Sequence, residues 1–374
     1  MAGSIIKVGK NYRVTFEHGK DINGKRIRTT KTVGSEAEAK RLLNEYEYNI
    51  NRNLSVQSSV MTFVQAINDW MDNYVQYNCE QTTIYGYQNI LNKHIIPHFK
   101  NIELQKLQPS HIQQYYKHLL DEKGLSPNTV HKHHALIRKA LDYSLKQQLV
   151  YRNVADAVSL PKRRRFEGKA YSKEELVTLL EKVRGTKLEV PVNLAIHLGL
   201  RREEIVGLKW KYVDLDLREI RIEEVRTSAG SKVITKVPKT EKSRRSLYIG
   251  DDLYEILLNH KVKQKEMNRI LGSEYYNAGY LYCHEDGKPY RVNSVTEQFK
   301  VFLEKNQLPK IRLHDLRHSF ASVLYNEGVD LKAISEALGH SDLGTTSRIY
   351  THRFDKTHKG VVQALNDALK TTQL

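Results

Sequence analysis

The chain has 374 residues, too many for one typical domain, and its 40% hydrophobic and 28% charged residues are ordinary for a folded protein. The net charge of +17 is not ordinary, and the basic excess is spread along the whole chain, which excludes a basic tail on a neutral enzyme and favours a polyanionic partner. A basic protein without such a partner stays open on composition alone. Cys79 and Cys283 are the only cysteines, which excludes a disulfide framework and a cysteine-based metal site and fits a reducing cytoplasm. No apolar run predicts a signal peptide or a membrane span.

Residues 1–55 predict a small three-stranded β-sheet followed by a helix. Apolar and polar residues alternate in short runs, Asn23-Gly24 is a strong hairpin signal, and Ser35 with Glu38 forms a capping box that opens a helix to about Asn51. A sheet of this kind can enter the major groove of DNA. Four basic residues would then line it: Lys25, Arg26, Arg28 and Lys31. A solvated basic hairpin explains the same residues equally well.

After a polar linker at 56–61, residues 62–160 predict an all-α helical bundle. Apolar stripes with helical spacing begin at Phe63, Ile84, Ile112 and Val130, and four such helices can bury their stripes against one another. Near the start of the fourth helix, basic side chains suit phosphate contact, and the predicted DNA contacts are His131, Lys132 and His134. Zinc is the weaker alternative for this cluster because no acidic or cysteine partner has suitable spacing.

A second linker, at 161–170, carries a run of basic residues: Lys162, Arg163, Arg164 and Arg165. A charge run usually lies in solvent. Because this one separates two basic parts of the chain, we predict that it crosses DNA phosphates.

Residues 171–374 predict a mostly helical α+β domain with a small antiparallel sheet. Ser172 and Glu175 cap a helix to about Val183, and an apolar helix ends at Gly199. Short strands are expected at 220–225, 233–237 and 246–249. Further helices are expected at 202–208, 252–265, 292–304, 313–327 and 331–338.

Three stretches of this last domain carry residues with reactive chemistry. In the first, residues 199–204, Arg201 occupies the turn after a helix, and Glu204 is placed either to orient its guanidinium or to lie on the surface. In the second, residues 238–249, a basic turn presents Lys239, with Lys242 as the alternative lysine. The third, residues 311–352, contains four candidate groups: His314, Arg317, His340 and Tyr350.

Together these stretches resemble the tyrosine recombinase, or phage integrase, family. The family pattern of Arg, Lys, His-x-x-Arg, His or Trp, and Tyr is matched in order by Arg201, Lys239, His314, Arg317, His340 and Tyr350. The phrase Leu-Gly-His-Ser-Asp before Ile-Tyr-Thr-His is among the specific signatures of the family. Glu203 departs from it, since relatives often carry a small residue there. The resemblance covers the whole chain, with an arm-binding domain at 1–55, a core-binding domain at 62–160 and a catalytic domain at 171–374 that includes a tail at 354–374.

The matched residues can act on a phosphodiester. Arg201, Arg317 and His340 would bind its non-bridging oxygens and stabilise the charge of the transition state. Tyr350 would attack, His314 would move a proton, and Lys239 would protonate the departing 5′-oxygen. Lys242 and Arg244 are predicted phosphate contacts, and Arg245 is interpreted as another such contact or as part of a solvated turn. No carboxylate cluster accompanies these groups, so we expect neither a metal nor another cofactor.

The resemblance implies a site-specific integrase of a phage or conjugative element, which integrates and excises that element through a 3′-phosphotyrosine and a Holliday junction and needs no ATP. It implies double-stranded DNA with core and arm attachment sites as the partner and a homotetramer at work in a bacterial cytoplasm, at the nucleoid. A directionality factor and a host DNA-bending protein are further partners that it allows, and a membrane is not one. An apolar stripe in the tail could pack in cis or on a neighbouring subunit.

Two other functions stay open from the residues alone. A type IB topoisomerase uses similar catalytic groups but relaxes supercoils as a monomer without a Holliday junction. A DNA-binding regulator could keep the fold without catalysis, although all the catalytic residue types are present.

Overall fold

The computed structural model describes residues 3–20, 24–51, 61–164 and 169–339, and the chain divides into two compact units, residues 1–165 and 166–374. In the first unit, three antiparallel strands in the order β1-β2-β3 precede one helix. Their bounds are β1 Gly3–Val8, β2 Asn11–Lys20, β3 Arg26–Val33 and α1 Glu36–Asn51. The buried residues Val14, Val33 and Ala39 hold the sheet against α1. The predicted sheet and helix are confirmed.

The pleat of this sheet separates the predicted DNA-contacting residues. Lys31 lies directly opposite Val14, which is buried under α1, so Lys31 leaves the strand on the α1 side. Arg26 and Arg28 have the opposite parity in β3 and lie on the open face of the sheet. Glu17, which is paired with Arg28 across the strands, also forms ion pairs there with both arginines.

The rest of the first unit is all-α, as predicted. Its helices are α2 Phe63–Trp70, α3 Gln76–Asn78, α4 Gln81–Ile90, α5 Ile96–Phe99, α6 Pro109–Asp121 and α7 Pro127–Lys146. A π-helical turn, Met71–Val75, joins α2 to α3, and another, Leu91–Ile95, joins α4 to α5. Such a turn adds a residue and shifts the apolar stripe. This is why Val75 is buried while Tyr74 is 47% exposed.

The second unit is a mixed α+β domain with more helix than strand, also as predicted. Its helices are α8 Lys173–Val183, α9 Glu189–His197, α10 Arg202–Ile205, α11 Asp251–Leu271, α12 Ser294–Lys305, α13 Leu313–Asn326 and α14 Leu331–Leu338. Its strands are β4 Val213–Asp214, β5 Glu219–Arg221, β6 Val225–Ala229, β7 Lys232–Lys236 and β8 Ser246–Tyr248. The strands form an antiparallel sheet β4-β5-β8 and a hairpin β6-β7. The helix α9 is buried along its length and forms the centre of the core.

Two predicted elements of this unit were wrong in their extent. The single strand expected at 220–225 is two strands, because the chain leaves β8 after Ile222 and pairs with β7 from Val225 onward. Both sheets bury apolar side chains, so alternation alone cannot show where the pairing partner changes. The helix expected at 202–208 ends at Ile205, because Gly207 packs against the backbone of Arg226, where a Cβ would lie 2.8 Å from the amide nitrogen.

None of the helices in the described ranges has the length and apolar character that crossing a membrane requires.

Candidate active site

Arg201 lies in the turn between α9 and α10, as its spacing predicted. Gly199 has φ of +60°, a region that favours glycine, and this reverses the chain after α9. Arg201 then forms the N-cap of α10, where its backbone N–H donates to Glu204 Oε2 at 2.8 Å and its guanidinium donates to Oε1 at 2.9 Å. The side chain of Arg201 stays 29% exposed, so solvent reaches it.

Glu204 is a buried carboxylate shared by two guanidiniums. Only 2% of its surface is exposed, and besides Arg201 it accepts two hydrogen bonds of 3.0 Å from Arg245. Burial by itself would raise the pKa of this carboxyl, but the Arg245 and Arg201 guanidiniums outweigh it and hold the pKa below its usual range. Of the two alternatives that the sequence left open for Glu204, orientation of Arg201 is the one seen, and the surface position is excluded.

Arg245 was interpreted from the sequence as a phosphate contact or part of a solvated turn, and the structure corrects this. Its side chain is 7% exposed. It makes a fork with Glu204 and donates from Nε to the carbonyl of Ala337 at 2.8 Å. Three of the four residues from Lys242 to Arg245 are basic, so their residue types do not show which side chain is buried. The signal that could have identified it is the alternation into β8, where Leu247 and Ile249 are buried.

Arg317 is buried on α13 and reaches two carbonyls from different parts of the chain. Only 2% of its surface is exposed, and its guanidinium donates to Gly199 O at 2.7 Å and to Leu338 O. A phosphate can therefore engage Arg317 only by taking the place of a carbonyl partner or by entering beside it.

The three arginines meet at the C-terminal end of α14. Arg245 donates to Ala337 O, Arg317 to Leu338 O and Arg201 to Gly339 O, which are consecutive carbonyls of the last turn. The last carbonyls of a helix lack partners inside it and carry its negative dipole end, so three cations suit them. Gly339 ends the helix in the left-handed region, and a Cβ there would lie 2.9 Å from Lys242 O.

His314 lies one turn before Arg317 on α13 and is exposed to solvent. Although the side chain reaches solvent, desolvation by the surrounding atoms, followed by the neighbouring His318, Arg317 and Arg312 side chains, lowers the pKa of its imidazole to about 4. The ring is therefore neutral near pH 7 and able to accept a proton. Asp315, next to it, is buried and pairs with Arg312 at the start of α13, so it supports the start of the helix.

Of the remaining predicted catalytic residues, only Lys239 is among the residues that the structure describes. Lys239 is exposed in the loop between β7 and β8, whose other end, at Lys242, packs against Gly339. His340, Tyr350 and the tail at 354–374 lie outside the described residues, and so does Arg165.

The predicted DNA-contacting residues of the first unit divide into exposed and engaged groups. Several are exposed on its surface: Lys25, Arg26, Arg28, Lys31, Lys132, Lys162, Arg163 and Arg164. In contrast, His131 Nε2 contacts Pro161 O at 2.9 Å, and Asn128 donates to Arg164 O at 2.8 Å, so the start of α7 holds the basic linker. In the second unit, Lys242 and Arg244 are exposed, and Arg244 pairs with Glu223 at 3.4 Å.

The histidine cluster of α7 serves the packing of α6 against α7. His134 Nδ1 lies 2.8 Å from the Tyr116 hydroxyl, and His133 Nδ1 lies 2.7 Å from the Tyr115 hydroxyl. Among residues 3–20, 24–51, 61–164 and 169–339, no group of three or more His, Cys, Asp or Glu side chains is arranged to hold a metal ion. The zinc alternative for this cluster therefore finds no support.

In the second unit, arginines from three elements meet at one helix end, an arrangement suited to an enzyme that acts on a phosphodiester. The sequence profile described as the phage integrase family matches residues 170–357, and two profiles of the phage integrase SAM-like domain match residues 62–120 and 93–159. The chain belongs to the phage integrase family and is a site-specific tyrosine recombinase of the integrase type.

Individual relatives match almost the whole chain. A tyrosine recombinase XerC-like protein of Caldanaerobacter subterraneus subsp. tengcongensis is 29% identical, over 97% of each chain. The ICEBs1 integrase of Bacillus subtilis is also 29% identical, over 96% of this chain and 97% of its own. These relatives favour the recombinase over the topoisomerase and regulator alternatives.

Solved structures share the fold. The integrase of transposon Tn1549, in complex with a circular intermediate DNA, has a TM-score of 0.70 at 19% identity, over 82% of this chain and 99% of that chain. A lambda integrase dimer bound to a COC′ core site has a TM-score of 0.58 at 16% identity, over 93% and 94% of the two chains.

Proposed function

We propose that this recombinase integrates and excises a mobile element by cutting and rejoining DNA through a 3′-phosphotyrosine on Tyr350. The observation that carries the proposal is the meeting of Arg201 and Arg317, which come from distant parts of the chain and donate to the neighbouring carbonyls Gly339 O and Leu338 O. Those carbonyls directly precede His340 in the sequence. Two guanidiniums beside one helix end supply the charge that a scissile phosphate needs in its transition state.

The proton transfers follow from the residue types. A tyrosine hydroxyl ordinarily has a pKa of about 10 and needs a base, and His314 is neutral near pH 7 because its pKa is lowered to about 4. Tyr350 Oη attacks the phosphorus and its proton passes to His314. The bond to the 5′-oxygen breaks as Lys239 Nζ gives that oxygen a proton. His340 adds a hydrogen bond to the phosphoryl oxygens.

Rejoining reverses these steps. A 5′-hydroxyl from the second duplex attacks the phosphotyrosine, releases the Tyr350 hydroxyl and conserves the energy of the phosphodiester without ATP. Two rounds of such exchange pass through a Holliday junction. The names of the relatives as integrases of an integrative element and of phages support this reaction for the chain.

We propose double-stranded DNA as the partner and a homotetramer as the working assembly. The lambda integrase bound to a core site as a dimer and the Tn1549 integrase on a circular intermediate DNA support DNA binding and assembly on DNA. Residues 1–55 would bind arm sites, 62–160 the core site, and 171–374 would carry catalysis, with a basic linker at 161–170. A directionality factor and a host DNA-bending protein would act with it at the nucleoid of a bacterial host.

The test uses Tyr350→Phe in the full-length protein and a nicked core-site duplex whose cleaved strand diffuses away. The core sequence comes from the junctions that the element leaves when it excises. We expect the wild type to form a covalent protein–DNA adduct on a denaturing gel and the variant to form none, while its DNA affinity stays within about twofold because one hydroxyl among many phosphate contacts is removed. Tyr248→Phe, at a tyrosine that is 69% exposed, is the matched control and should form the adduct. An adduct formed by Tyr350→Phe would overturn the assignment.

A further inference from the structure

Arg245 has no role in the reaction proposed above, yet it donates to both oxygens of the buried Glu204 and to the carbonyl of Ala337. We infer that Arg245 is a positioning residue for recombination, which orients the Arg201 guanidinium through Glu204 and holds the last turn of α14 through Ala337. The inference rests on the proposed contact between Arg201 and the scissile phosphate.

The first support is the geometry around the carboxylate. Arg245 donates one hydrogen bond of 3.0 Å to each oxygen of Glu204, which is the fork arrangement that a guanidinium and a carboxylate prefer. Arg201 donates to the same two oxygens of Glu204, to one from its backbone N–H and to the other from its guanidinium. The carboxylate therefore sets the position of Arg201 relative to Arg245.

The second support is the balance of charge. A buried carboxylate paired with Arg201 alone would draw that guanidinium into a neutral ion pair and weaken its attraction for a phosphate. With Arg245 present, the three side chains carry a net positive charge at a buried position. Because Arg245 neutralises Glu204, the positive charge of Arg201 remains available to attract the phosphate of the substrate.

The third support is the contact with α14. Arg245 Nε donates to Ala337 O at 2.8 Å, next to the carbonyls that Arg317 and Arg201 contact. A Cβ on Gly339 would lie 3.1 Å from Nη1 of Arg245, so the guanidinium is packed tightly against the helix end. With 7% of its side chain exposed, Arg245 is enclosed by protein, which separates it from a residue that binds DNA directly.

The experiment compares Arg245→Lys with a matched control, Arg226→Lys, both in the full-length protein. Arg226 is a buried residue of the same unit and donates to a backbone carbonyl, that of Tyr290, outside this network. Lysine keeps the charge but cannot make the fork to both carboxylate oxygens together with the bond to Ala337. On the nicked core site we expect single-turnover cleavage by Arg245→Lys to be about 100-fold slower, the cost of a small misplacement of a catalytic group, with DNA affinity unchanged. Arg226→Lys should cleave within about twofold of wild type.

A second substrate separates positioning from general support of the fold. A methylphosphonate at the scissile position replaces one charged oxygen by a methyl group, so it depends less on Arg201. If Arg245 acts through Arg201, the defect of Arg245→Lys should shrink to severalfold on this substrate. Arg201→Lys should show the same pattern, and the double variant should cleave no more slowly than Arg201→Lys alone.

The inference is overturned if Arg245→Lys cleaves like the wild type, if its defect is equal on both substrates, or if its defect adds fully to that of Arg201→Lys. It is also overturned if DNA affinity falls with a salt slope reduced by about one, since that marks a direct phosphate contact. If Arg245→Lys does not fold, a double variant with Glu204→Gln and Arg245→Gln takes its place, because it removes both buried charges together. Its cleavage defect should likewise be smaller on the methylphosphonate than on the normal phosphodiester, and an equal defect on both substrates would overturn the inference. An absence of any adduct in the wild type would instead refute the proposed function.

Discussion

Arg317 donates a hydrogen bond of 2.7 Å from its guanidinium to the carbonyl oxygen of Gly199, although 118 residues separate the two in the chain. This contact ties the turn that carries Arg201 to the helix that carries His314 and Arg317. The backbone at Gly199 has φ of +60°, and Leu338 and Phe320 crowd the place where a side chain would begin. The glycine is therefore a requirement of the site as well as of the turn.

We predict that Gly199→Ala destabilises the catalytic unit by about 3 kcal/mol, because it adds backbone strain and forces a Cβ to within 2.7 Å of Leu338 Cδ2. Urea unfolding followed by Trp210 fluorescence measures this in a Trp70→Phe background, since these are the two tryptophans of the chain and they lie in different units. Gly250→Ala is the control, because its φ is −70° and a Cβ there meets open space, and as a change at the N-cap of α11 it should cost no more than about 1 kcal/mol. Equal losses in the two variants would contradict the crowding seen at Gly199.

The second prediction concerns the acid limb of cleavage. Because the pKa of His314 is lowered to about 4, this base stays neutral well below the usual histidine range, and single-turnover cleavage should hold its rate from pH 8 down to about 5.5. His318→Gln removes an imidazole whose protonated form opposes protonation of His314, so the pKa of His314 should rise and the acid limb should move to higher pH. If the cleavage rate of the wild type instead fell near pH 6.5, and fell at the same pH in His318→Gln, then His314 with a lowered pKa would not be the base.

The third prediction concerns the stability of the helical part of the first unit. His133 is 1% exposed beside the Tyr115 hydroxyl, and burial, with the charge of His94, lowers its pKa to about 4. The unfolded chain then binds more protons than the folded one, so stability is full above about pH 6.5 and falls as the pH drops toward 4, by on the order of 3 kcal/mol. Burial also lowers the pKa values of His94, His98 and His134, which adds to the loss.

Urea midpoints over a pH series, read from Trp70 in a Trp210→Phe background, measure this dependence. His133→Gln removes the titrating ring and should flatten the slope of stability between pH 6.5 and 4.5, although the variant is less stable at pH 7. An unchanged slope would assign the acid sensitivity to other groups.

The fourth prediction separates the two faces of the N-terminal sheet. Arg28 lies on the open face and Lys31 on the α1 side, so Arg28→Ala should weaken arm-site binding by about 1–3 kcal/mol and relax its sequence preference, with a smaller loss for Lys31→Ala. Footprinting on arm-site and core-site DNA measures both variants, and the core-site footprint should not change. A larger loss for Lys31→Ala would place the DNA on the other side of the sheet.

Local patterns were sufficient for much of this protein. The alternation before and after Asn23-Gly24 predicted the first sheet, the apolar stripes predicted the helical bundle, and both were confirmed because period and capping act within a few residues. The strand expected at 220–225 failed for the opposite reason. Residues 220–225 have the same apolar pattern in both sheets, so the sequence reads as one strand. Only the change of pairing partner, from β8 to β7, separates β5 from β6.

The sequence by itself determined which residue types are present and in what order, from Arg201 to Tyr350, and that order was enough to indicate a tyrosine recombinase. Only the tertiary structure decided that Arg245 turns inward, that Glu204 is shared by two guanidiniums, and that three arginines bind three consecutive carbonyls of α14. The reason is that an arginine in a basic run has the same local signals whether it faces solvent or a buried carboxylate. Its partner lies far away in the chain, and the choice is made when α9, α10, α13 and α14 pack together.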